Sequence, residues 1–230
     1  MARPPPPPAA SAPPPALYYS IDVECVATGR DHNTRSVAQI ALVDQYERLV
    51  LNLYVRPEQP VVSYLTALTG LTQEVVEQYG RPLAEQIELL KSWLPTDATL
   101  VGQNILMDVQ WLGLREGVDF AACLDLAGLF RVWNPKYNSW TMFSQDHCAK
   151  VLLGWDVDST THDAALDAQK SVRLYNYWQA MQADASGWAA AQAALLQAPT
   201  SESFARRNPT YEGVCMGNRK TCSCGAPFFS

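Results

Sequence analysis

Residues 17–55, LYYSIDVECVATGRDHNTRSVAQIALVDQYERLVLNLYV, contain three apolar runs separated by short polar segments. The runs at residues 17–23, 37–43 and 49–55 are rich in β-branched and aromatic side chains, which favour strands. Because the connections between the runs are short, the three strands are predicted to form an antiparallel meander. This stretch therefore predicts a sheet at the start of a globular domain.

The rest of the globular part alternates between helical patterns and short strands. Apolar spacing and capping residues predict helices over residues 72–79, 81–94, 105–114, 143–153 and 163–181. Short strands are predicted at residues 100–101 and 121–126. Three strands followed by alternating strands and helices indicate an α/β fold, in which one sheet mixes antiparallel and parallel strands and is flanked by helices.

Composition divides the chain into four segments. Residues 1–16 hold eight of the sixteen prolines and are predicted to be a polyproline-like leader. A globular domain is predicted over residues 17–183, an Ala-rich helix over 184–198, and a Cys-containing tail over 199–230. For the leader we favour a solvated segment over a ligand for a Pro-recognition domain, because short Pro-rich tracts are weakly specific.

Net charge and a search for targeting and membrane segments restrict the expected function and location of the protein. The 230-residue chain has a net charge of -6 and a sequence pI of about 5.0, which argues against a broad basic face for nucleic acid. An acidic nuclease remains compatible, because divalent cations held by carboxylates reverse the local charge. The sequence shows no signal peptide and no membrane-spanning run, so we expect an intracellular protein, nuclear or cytoplasmic, with no membrane partner.

Two carboxylates lie at the end of the first predicted strand. In the segment IDVE at residues 21–24, Asp22 and Glu24 are two positions apart and therefore face the same side of the strand. Neighbouring carboxylates repel each other unless a positive charge lies between them, and divalent cations prefer oxygen ligands. The pair is a candidate metal site, and a solvated strand end is the alternative interpretation.

Two further acidic segments lie at predicted helix starts. GQNILMD at residues 102–108 places Asp108 in the first turns of a helix, where the helix dipole favours an acid. HDAALDA at residues 162–168 opens the long helix, with Asp163 as its predicted N-cap. His162 stands just outside this helix and Asp167 lies about one turn inside it. A capped helix with a stray histidine is the alternative interpretation.

Taken together and in this order, the three acidic segments resemble the motifs of the DEDDh 3′→5′ exonuclease family. Those motifs are D-x-E on the first strand, an Asp after a G-H-N-like turn, and H-x-x-x-x-D at a late helix, and the resemblance spans residues 18–178. LTGLT at residues 68–72 is similar to an L-T-G-I element of the same family. YVRPE at residues 54–58 resembles a Y-V-K-P segment of the branch that contains eukaryotic RNA exonucleases, the interferon-stimulated exonuclease and plant small-RNA-degrading nucleases. Gln103 stands where the family commonly has His.

The resemblance implies an RNase H-like fold and two divalent cations, Mg²⁺ or Mn²⁺. The implied cation ligands are Asp22, Glu24, Asp108 and Asp167, and His162 would be the general base that takes a proton from the attacking water. The implied reaction hydrolyses single-stranded RNA from a free 3′ end to nucleoside 5′-monophosphates. Two alternatives stay open, a DNA exonuclease of the proofreading type and a catalytically weak nucleic-acid-binding adaptor.

Contacts with the last nucleotide are also implied by the resemblance. Leu68 would wedge against the terminal base and so require a free 3′ end. Asn104 and the main chain around Cys25 and Val26 would meet the terminal sugar. Reading the 2′-hydroxyl of that sugar is what distinguishes RNA from DNA.

The tail contains three cysteines in a short span, Cys215, Cys222 and Cys224. Zinc sites usually combine two closely spaced Cys or His pairs, whereas here only three ligands are local and the C-x-C spacing is atypical. We therefore favour free thiols in a loose tail over a zinc site.

Overall fold

The computed structural model describes residues 17–157 and 161–228, so the predicted leader at residues 1–16 lies outside the described residues. The strands are β1 (Tyr18–Ala27), β2 (Arg35–Asp44), β3 (Leu49–Tyr54), β4 (Thr99–Gly102), β5 (Ala122–Asp125), β6 (Val132–Asn134), β7 (Ser139–Thr141), β8 (Thr210–Tyr211) and β9 (Val214–Cys215). The helices are α1 (Thr66–Thr69), α2 (Gln73–Tyr79), α3 (Leu83–Trp93), α4 (Ile105–Trp111), α5 (Leu126–Phe130), α6 (Gln145–Leu153), α7 (Ala164–Met181), α8 (Ala185–Gln197) and α9 (Phe204–Arg207).

The main sheet has the strand order β3-β2-β1-β4-β5. β1 pairs antiparallel with β2, and β2 pairs antiparallel with β3, which confirms the predicted meander. β4 and β5 are added in parallel beside β1. This is the predicted mixed sheet, and it places β1 at the centre with neighbours on both sides.

The first strand is longer than predicted. The sequence pattern ended it at Val23, but β1 runs to Ala27, so Asp22 and Glu24 lie inside the strand and not at its end. Pairing with β2 continues past them because the register shifts between Glu24 and Cys25, where β2 contributes one extra residue. Such a bulge bends and twists the strand, and it permits the pairing that the alternation pattern alone did not predict.

Both faces of the sheet are covered by helices. On one face, large apolar side chains of the strands pack with those of α3 and α4 around Ile40, Leu90 and Ile105. On the other face, Ala41 and Val43 of β2 pack with small residues of α7. Asp22 pairs with Ala41 across the β1–β2 ladder, so it shares the α7 face. The small side chains allow α7 to approach the sheet closely beside this carboxylate.

The C-terminal part contains short regular elements where the sequence predicted a loop. Helix α9 and the β8–β9 hairpin lie within residues 204–215, and the Cys215 N–H donates to the Arg30 carbonyl at 2.8 Å. The short helices α1 and α5 and the β6–β7 hairpin were also not predicted. Elements of two to five residues carry too few positions for a periodic pattern, and tertiary contacts determine them.

Helix α8 occupies the predicted Ala-rich segment and packs on the domain. Leu195 is buried, and its carbonyl oxygen lies 2.9 Å from Nε2 of the buried His147. Trp188 meets Phe130 edge to face. Among the described residues, no helix combines the length and the apolar character needed to cross a membrane.

Candidate active site

Four carboxylates from three elements converge beside the central strand. Asp22 and Glu24 come from β1, Asp108 from the first turn of α4, and Asp167 from the first turn of α7. The Val23 N–H donates a hydrogen bond to Asp108, which ties α4 to β1. Ligand atoms of Glu24, Asp167 and His162 all lie within 4.8 Å of one another. The structure therefore brings the five predicted residues together.

Burial raises the pKa of three of these carboxylates. Burial, followed by repulsion from Asp108, Asp167 and Glu24, raises the pKa of Asp22 well above its ordinary value. Burial and the neighbouring Asp167 raise the pKa of Glu24 to about 8. Burial raises the pKa of Asp108 to about 7, although its backbone hydrogen bonds act in the opposite direction. Full ionisation of this cluster at neutral pH thus requires positive charge among the carboxylates.

Asp167 differs from the other three because cationic groups surround it. Burial acts to raise its pKa, but the hydrogen bond with His162 and the charge of Lys170 outweigh burial and hold the pKa below its ordinary value. The distances are 2.7 Å from Asp167 Oδ2 to His162 Nδ1 and 2.6 Å from Asp167 Oδ1 to Lys170 Nζ. The hydrogen bond to Asp167 in turn raises the pKa of His162.

Two residues of this network were missed by sequence reasoning. Lys170 is 2% exposed, and its Nζ also donates to Asp146 Oδ1 at 2.9 Å. Asp146 Oδ2 lies 3.9 Å from His162 Nε2. The contact of Lys170 with Asp167 could have been predicted from the sequence, because Lys170 lies three residues after Asp167 on the same helix face. Asp146 lies on α6, and no local pattern connects it to the site.

The roles of the adjacent residues His162 and Asp163 are separated by their contacts. The Asp163 side chain accepts hydrogen bonds from the N–H groups of Ala165 and Leu166 at 3.0 and 3.1 Å, which confirms it as the N-cap of α7. Gln39 Nε2 also donates to Asp163 at 3.1 Å. Asp163 is therefore committed to the helix start, while His162 faces the carboxylates.

The residues predicted to contact substrate surround this cluster at different depths. Leu68 is half-buried, and its carbonyl accepts a hydrogen bond from the His162 N–H at 2.7 Å. Asn104 is exposed in a left-handed conformation (φ 54°), with its N–H bound to Asp125 at 2.9 Å. Cys25 is half-buried. Val26 is fully buried, main chain included, and pairs with Ser36 of β2.

The three tail cysteines are brought together, with a fourth group beside them. Ligand atoms of Cys215, Cys222, Cys224 and His32 all lie within 4.8 Å of one another. His32 lies in the connection between β1 and β2, far from the cysteines in sequence. Sequence reasoning missed His32 because a single histidine in a loop carries no spacing signal.

The part of the chain that holds these residues matches a known protein family. The family model RNase_T, described as Exonuclease, matches residues 20–175 of the chain. The chain belongs to this exonuclease family. The membership confirms the predicted resemblance to DEDDh 3′→5′ exonucleases, and the carboxylates and His162 all lie inside the matched region.

Individual relatives agree with the family. Small RNA degrading nuclease 2 of Arabidopsis thaliana is 28% identical over 164 residues, which cover 67% of this chain and 33% of that protein. RNA exonuclease 5 of Homo sapiens is 28% identical over 163 residues, which cover 70% of this chain and 20% of that protein. The chain thus spans a third or less of the length of these relatives.

Solved structures share the fold. The Pan2 catalytic unit of Neurospora crassa matches with a TM-score of 0.65 at 18% identity, covering 84% of this chain and 31% of that one. The Saccharomyces cerevisiae Pan2 module in complex with A7 RNA matches with a TM-score of 0.64 at 17% identity, covering 82% of this chain and 34% of that one. These matches confirm the predicted RNase H-like architecture.

The donor set of this carboxylate cluster fits hard divalent cations. Carboxylate oxygens are the ligands that Mg²⁺ and Mn²⁺ prefer. Burial raises the pKa of Asp22, Glu24 and Asp108, and repulsion from neighbouring carboxylates adds to the shift at Asp22 and Glu24. A cation bound among them would relieve that repulsion.

The first prediction is that Mg²⁺ stabilises the protein more at high pH than at low pH. In the unfolded chain the three carboxylates titrate near pH 4, whereas in the fold the pKa is about 8 for Glu24 and about 7 for Asp108, and the pKa of Asp22 is raised in the same direction. The unfolded state therefore binds fewer protons across this window, and the free energy of unfolding of the cation-free protein falls as pH rises. The raised pKa of His162 acts in the same direction, and the stabilisation from Asp167 is already complete above about pH 4.

We expect saturating Mg²⁺ to raise the melting temperature by several degrees near pH 8 and much less near pH 5, as measured by differential scanning fluorimetry after chelation and dialysis. Asp108→Asn is the matched variant, because it removes one charge and should shrink the difference between the two pH values. An equal Mg²⁺ effect at both pH values would contradict the prediction.

The second prediction concerns the buried Lys170. Lys170→Met leaves the Asp167 and Asp146 carboxylates without their shared ammonium, and breaking a buried ion pair costs about 3–5 kcal/mol. We expect a loss of this order in the free energy of unfolding, measured by urea denaturation. Lys136→Met is the control, since Lys136 is exposed and its ammonium lies 5.3 Å from the centroid of the Tyr137 ring, an exposed contact worth about 0.5–1 kcal/mol. Adding Asp167→Asn to Lys170→Met should recover part of the loss. A Lys170→Met protein as stable as the control would refute this role.

Proposed function

We propose that this chain hydrolyses single-stranded RNA from a free 3′ end and releases nucleoside 5′-monophosphates. The observation that carries the proposal is the convergence of Asp22, Glu24, Asp108 and Asp167 with His162 on one side of the central strand, in a chain of the exonuclease family. RNA as the substrate is supported by the relatives named RNA exonuclease 5 and small RNA degrading nuclease 2, and by the Pan2 module in complex with A7 RNA.

The four carboxylates would hold two divalent cations, Mg²⁺ or Mn²⁺. When bound, such cations supply positive charge to the attacking and leaving oxygens of a phosphoryl displacement. The chain contributes a rigid frame for this purpose, because two ligands lie on the central strand and two lie in the first turns of helices packed against it. Side chains on regular elements are positioned more accurately than those on loops.

His162 would accept a proton from the attacking water. Its Nδ1 is hydrogen-bonded to Asp167, which fixes the ring and directs Nε2 away from that carboxylate. The bond also stabilises the imidazolium that forms when Nε2 gains a proton, as does Asp146 at 3.9 Å. A raised pKa strengthens the base but lowers the neutral fraction near pH 7, so activity should increase with pH as the imidazole loses its proton.

The segment that would grip the terminal base is attached to the same histidine. The hydrogen bond from the His162 N–H to the Leu68 carbonyl joins the wedge residue to the proposed base. Gly70 adopts a left-handed conformation (φ 70°) beside Thr161, whose Oγ1 would lie 3.1 Å from an added Cβ. A side chain at Gly70 would therefore be strained and would push the Leu68 segment away from His162.

The third prediction tests the reaction and its polarity. The full chain with Mg²⁺ should shorten 5′-labelled single-stranded RNA progressively from the 3′ end, release nucleoside 5′-monophosphates, and leave circular RNA intact. Asp108→Asn should abolish this activity without loss of fold, because it removes a charge needed by the cations. Glu88→Gln, at an exposed position, is the control and should behave as wild type.

The outcomes distinguish the alternatives. Faster degradation of a matched DNA oligomer would favour the DNA exonuclease. Binding of RNA without any Mg²⁺-dependent cleavage would favour the adaptor. Efficient cutting of the circular RNA would refute an exonuclease.

The fourth prediction separates His162 from Asp163. Loss of a general base costs about 10²–10⁴ in rate, whereas loss of an N-cap costs about 0.5–2 kcal/mol of stability. His162→Ala should therefore fold normally and lose most of its kcat, while Asp163→Ala should melt at a lower temperature and keep much of its activity. Single-turnover kinetics and thermal melts of the two purified variants provide the measurement. An active His162→Ala beside an inactive but folded Asp163→Ala would overturn the assignment.

A further inference from the structure

A second cluster of metal-ligating groups lies away from the carboxylates, where the C-terminal tail meets the β1–β2 connection. It consists of Cys215, Cys222 and Cys224 from the tail and His32 from the connection. None of the three thiols is joined in a disulfide. The cluster thus combines soft sulfur ligands with one imidazole, a donor set different from that of the carboxylates.

The distances within the cluster match the edges of a tetrahedron. With zinc–sulfur bonds of about 2.3 Å, two ligand atoms of a tetrahedral site are separated by about 3.8 Å. Cys222 Sγ lies 3.5 Å from both Cys215 Sγ and Cys224 Sγ. His32 Nδ1 lies 3.2, 3.9 and 3.6 Å from the sulfurs of Cys224, Cys215 and Cys222. A disulfide would need sulfurs about 2.05 Å apart, so these spacings favour four ligands around one centre.

The surroundings of His32 independently indicate a metal ligand. Its Nε2 lies 3.2 Å from the Pro227 carbonyl, which can only accept a hydrogen bond. Nε2 therefore carries the ring hydrogen, and Nδ1 directs its lone pair toward the three sulfurs. A second nitrogen bonded to a carbonyl is the usual arrangement of metal-binding histidines. Phe228 stacks on the ring with centroids 4.4 Å apart and holds its orientation.

The backbone around the cysteines also allows the tail to lie close to His32. Gly217 has a positive φ of 72°, and a Cβ there would lie 3.3 Å from the His32 Cβ. The Gly217 N–H points to Cys215 Sγ at 3.5 Å, a contact that stabilises a thiolate. The tail thus turns tightly at this point to bring its sulfurs against the imidazole.

We propose that His32, Cys215, Cys222 and Cys224 bind one structural zinc ion. Four protein ligands complete a tetrahedral site and leave no position for substrate, which is the hallmark of structural zinc. The site resolves the objection raised by the sequence, where only three ligands were local, because the fourth comes from the β1–β2 connection. Zinc would fix the tail to this connection.

The zinc-bound tail would support the edge of the proposed active site. Next to Cys215, Val214 is fully buried against Ala27 of β1 and Leu65, and Leu68 packs on the same cluster. The Arg35 guanidinium donates to the Cys215 carbonyl at 3.0 Å. Loss of zinc would therefore loosen the support beneath the Leu68 segment. This effect on catalysis rests on the proposed function, whereas zinc binding itself does not.

Zinc content of the full chain, purified without chelators, is the direct test. We expect about one zinc per chain by elemental analysis, and cobalt substitution should give the visible bands of tetrahedral thiolate coordination. His32→Ala and Cys222→Ser should lose zinc and melt roughly 5–15 °C lower. Cys123→Ser, at a half-buried cysteine of β5 outside the cluster, is the control and should keep its zinc.

Any of the following results would overturn the proposal. A zinc-free chain with six titratable thiols, or a disulfide among the tail cysteines, would exclude the site. Zinc that survives Cys222→Ser but is lost in Asp108→Asn would lie at the carboxylates instead. Zinc bound by His32→Ala as tightly as by wild type would remove His32 from the site. Because these readouts need no RNA, they stay valid if the proposed function fails, and failure of the zinc site leaves the cleavage assay unaffected.

Discussion

The burial of four neighbouring carboxylates is the constraint on which the rest of this structure depends. Burial raises the pKa of Asp22, Glu24 and Asp108, and repulsion between neighbouring carboxylates adds to the shift at Asp22 and Glu24. Such a cluster persists only where the surrounding fold enforces it. The central position of β1, paired on both sides, and the close packing of α7 through small side chains provide that enforcement. Lys170 supplies a fixed positive charge from within the chain, beside Asp167.

Much of this site could be predicted from sequence because it is encoded by short-range periodicity. Two-residue spacing on a strand places Asp22 and Glu24 on one face, and capping chemistry identifies Asp163 as a helix start with Asp167 one turn later. The end of β1 was predicted wrongly, since the bulge that extends its pairing depends on β2 and not on the strand's own pattern. Asp146 was missed because only the packing of α6 on α7 brings it to His162.

The C-terminal tail was less predictable from the sequence than the carboxylate cluster. Its cysteines have an atypical spacing, and local reasoning therefore favoured free thiols. The geometry depends on His32, which lies 183 residues before Cys215 and reaches it through the fold of the β1–β2 connection. Similarly, the β8–β9 hairpin contains only two residues per strand, yet the buried Val214 and the bond from Cys215 to Arg30 anchor it to the domain. Sequence periodicity carries no information about such contacts.

The two clusters differ in ligand type, and this difference separates their proposed metals. Carboxylate oxygens suit hard cations such as Mg²⁺, which exchange readily and keep part of their hydration. Thiolates and imidazole select zinc and bind Mg²⁺ poorly. The cation that takes part in the proposed chemistry could therefore exchange during turnover while the zinc stays in place. Since Val214 links the zinc cluster to the base of the Leu68 segment, a stable ion at the tail would hold the edge proposed to grip substrate in position, independently of cations proposed to bind at the carboxylates.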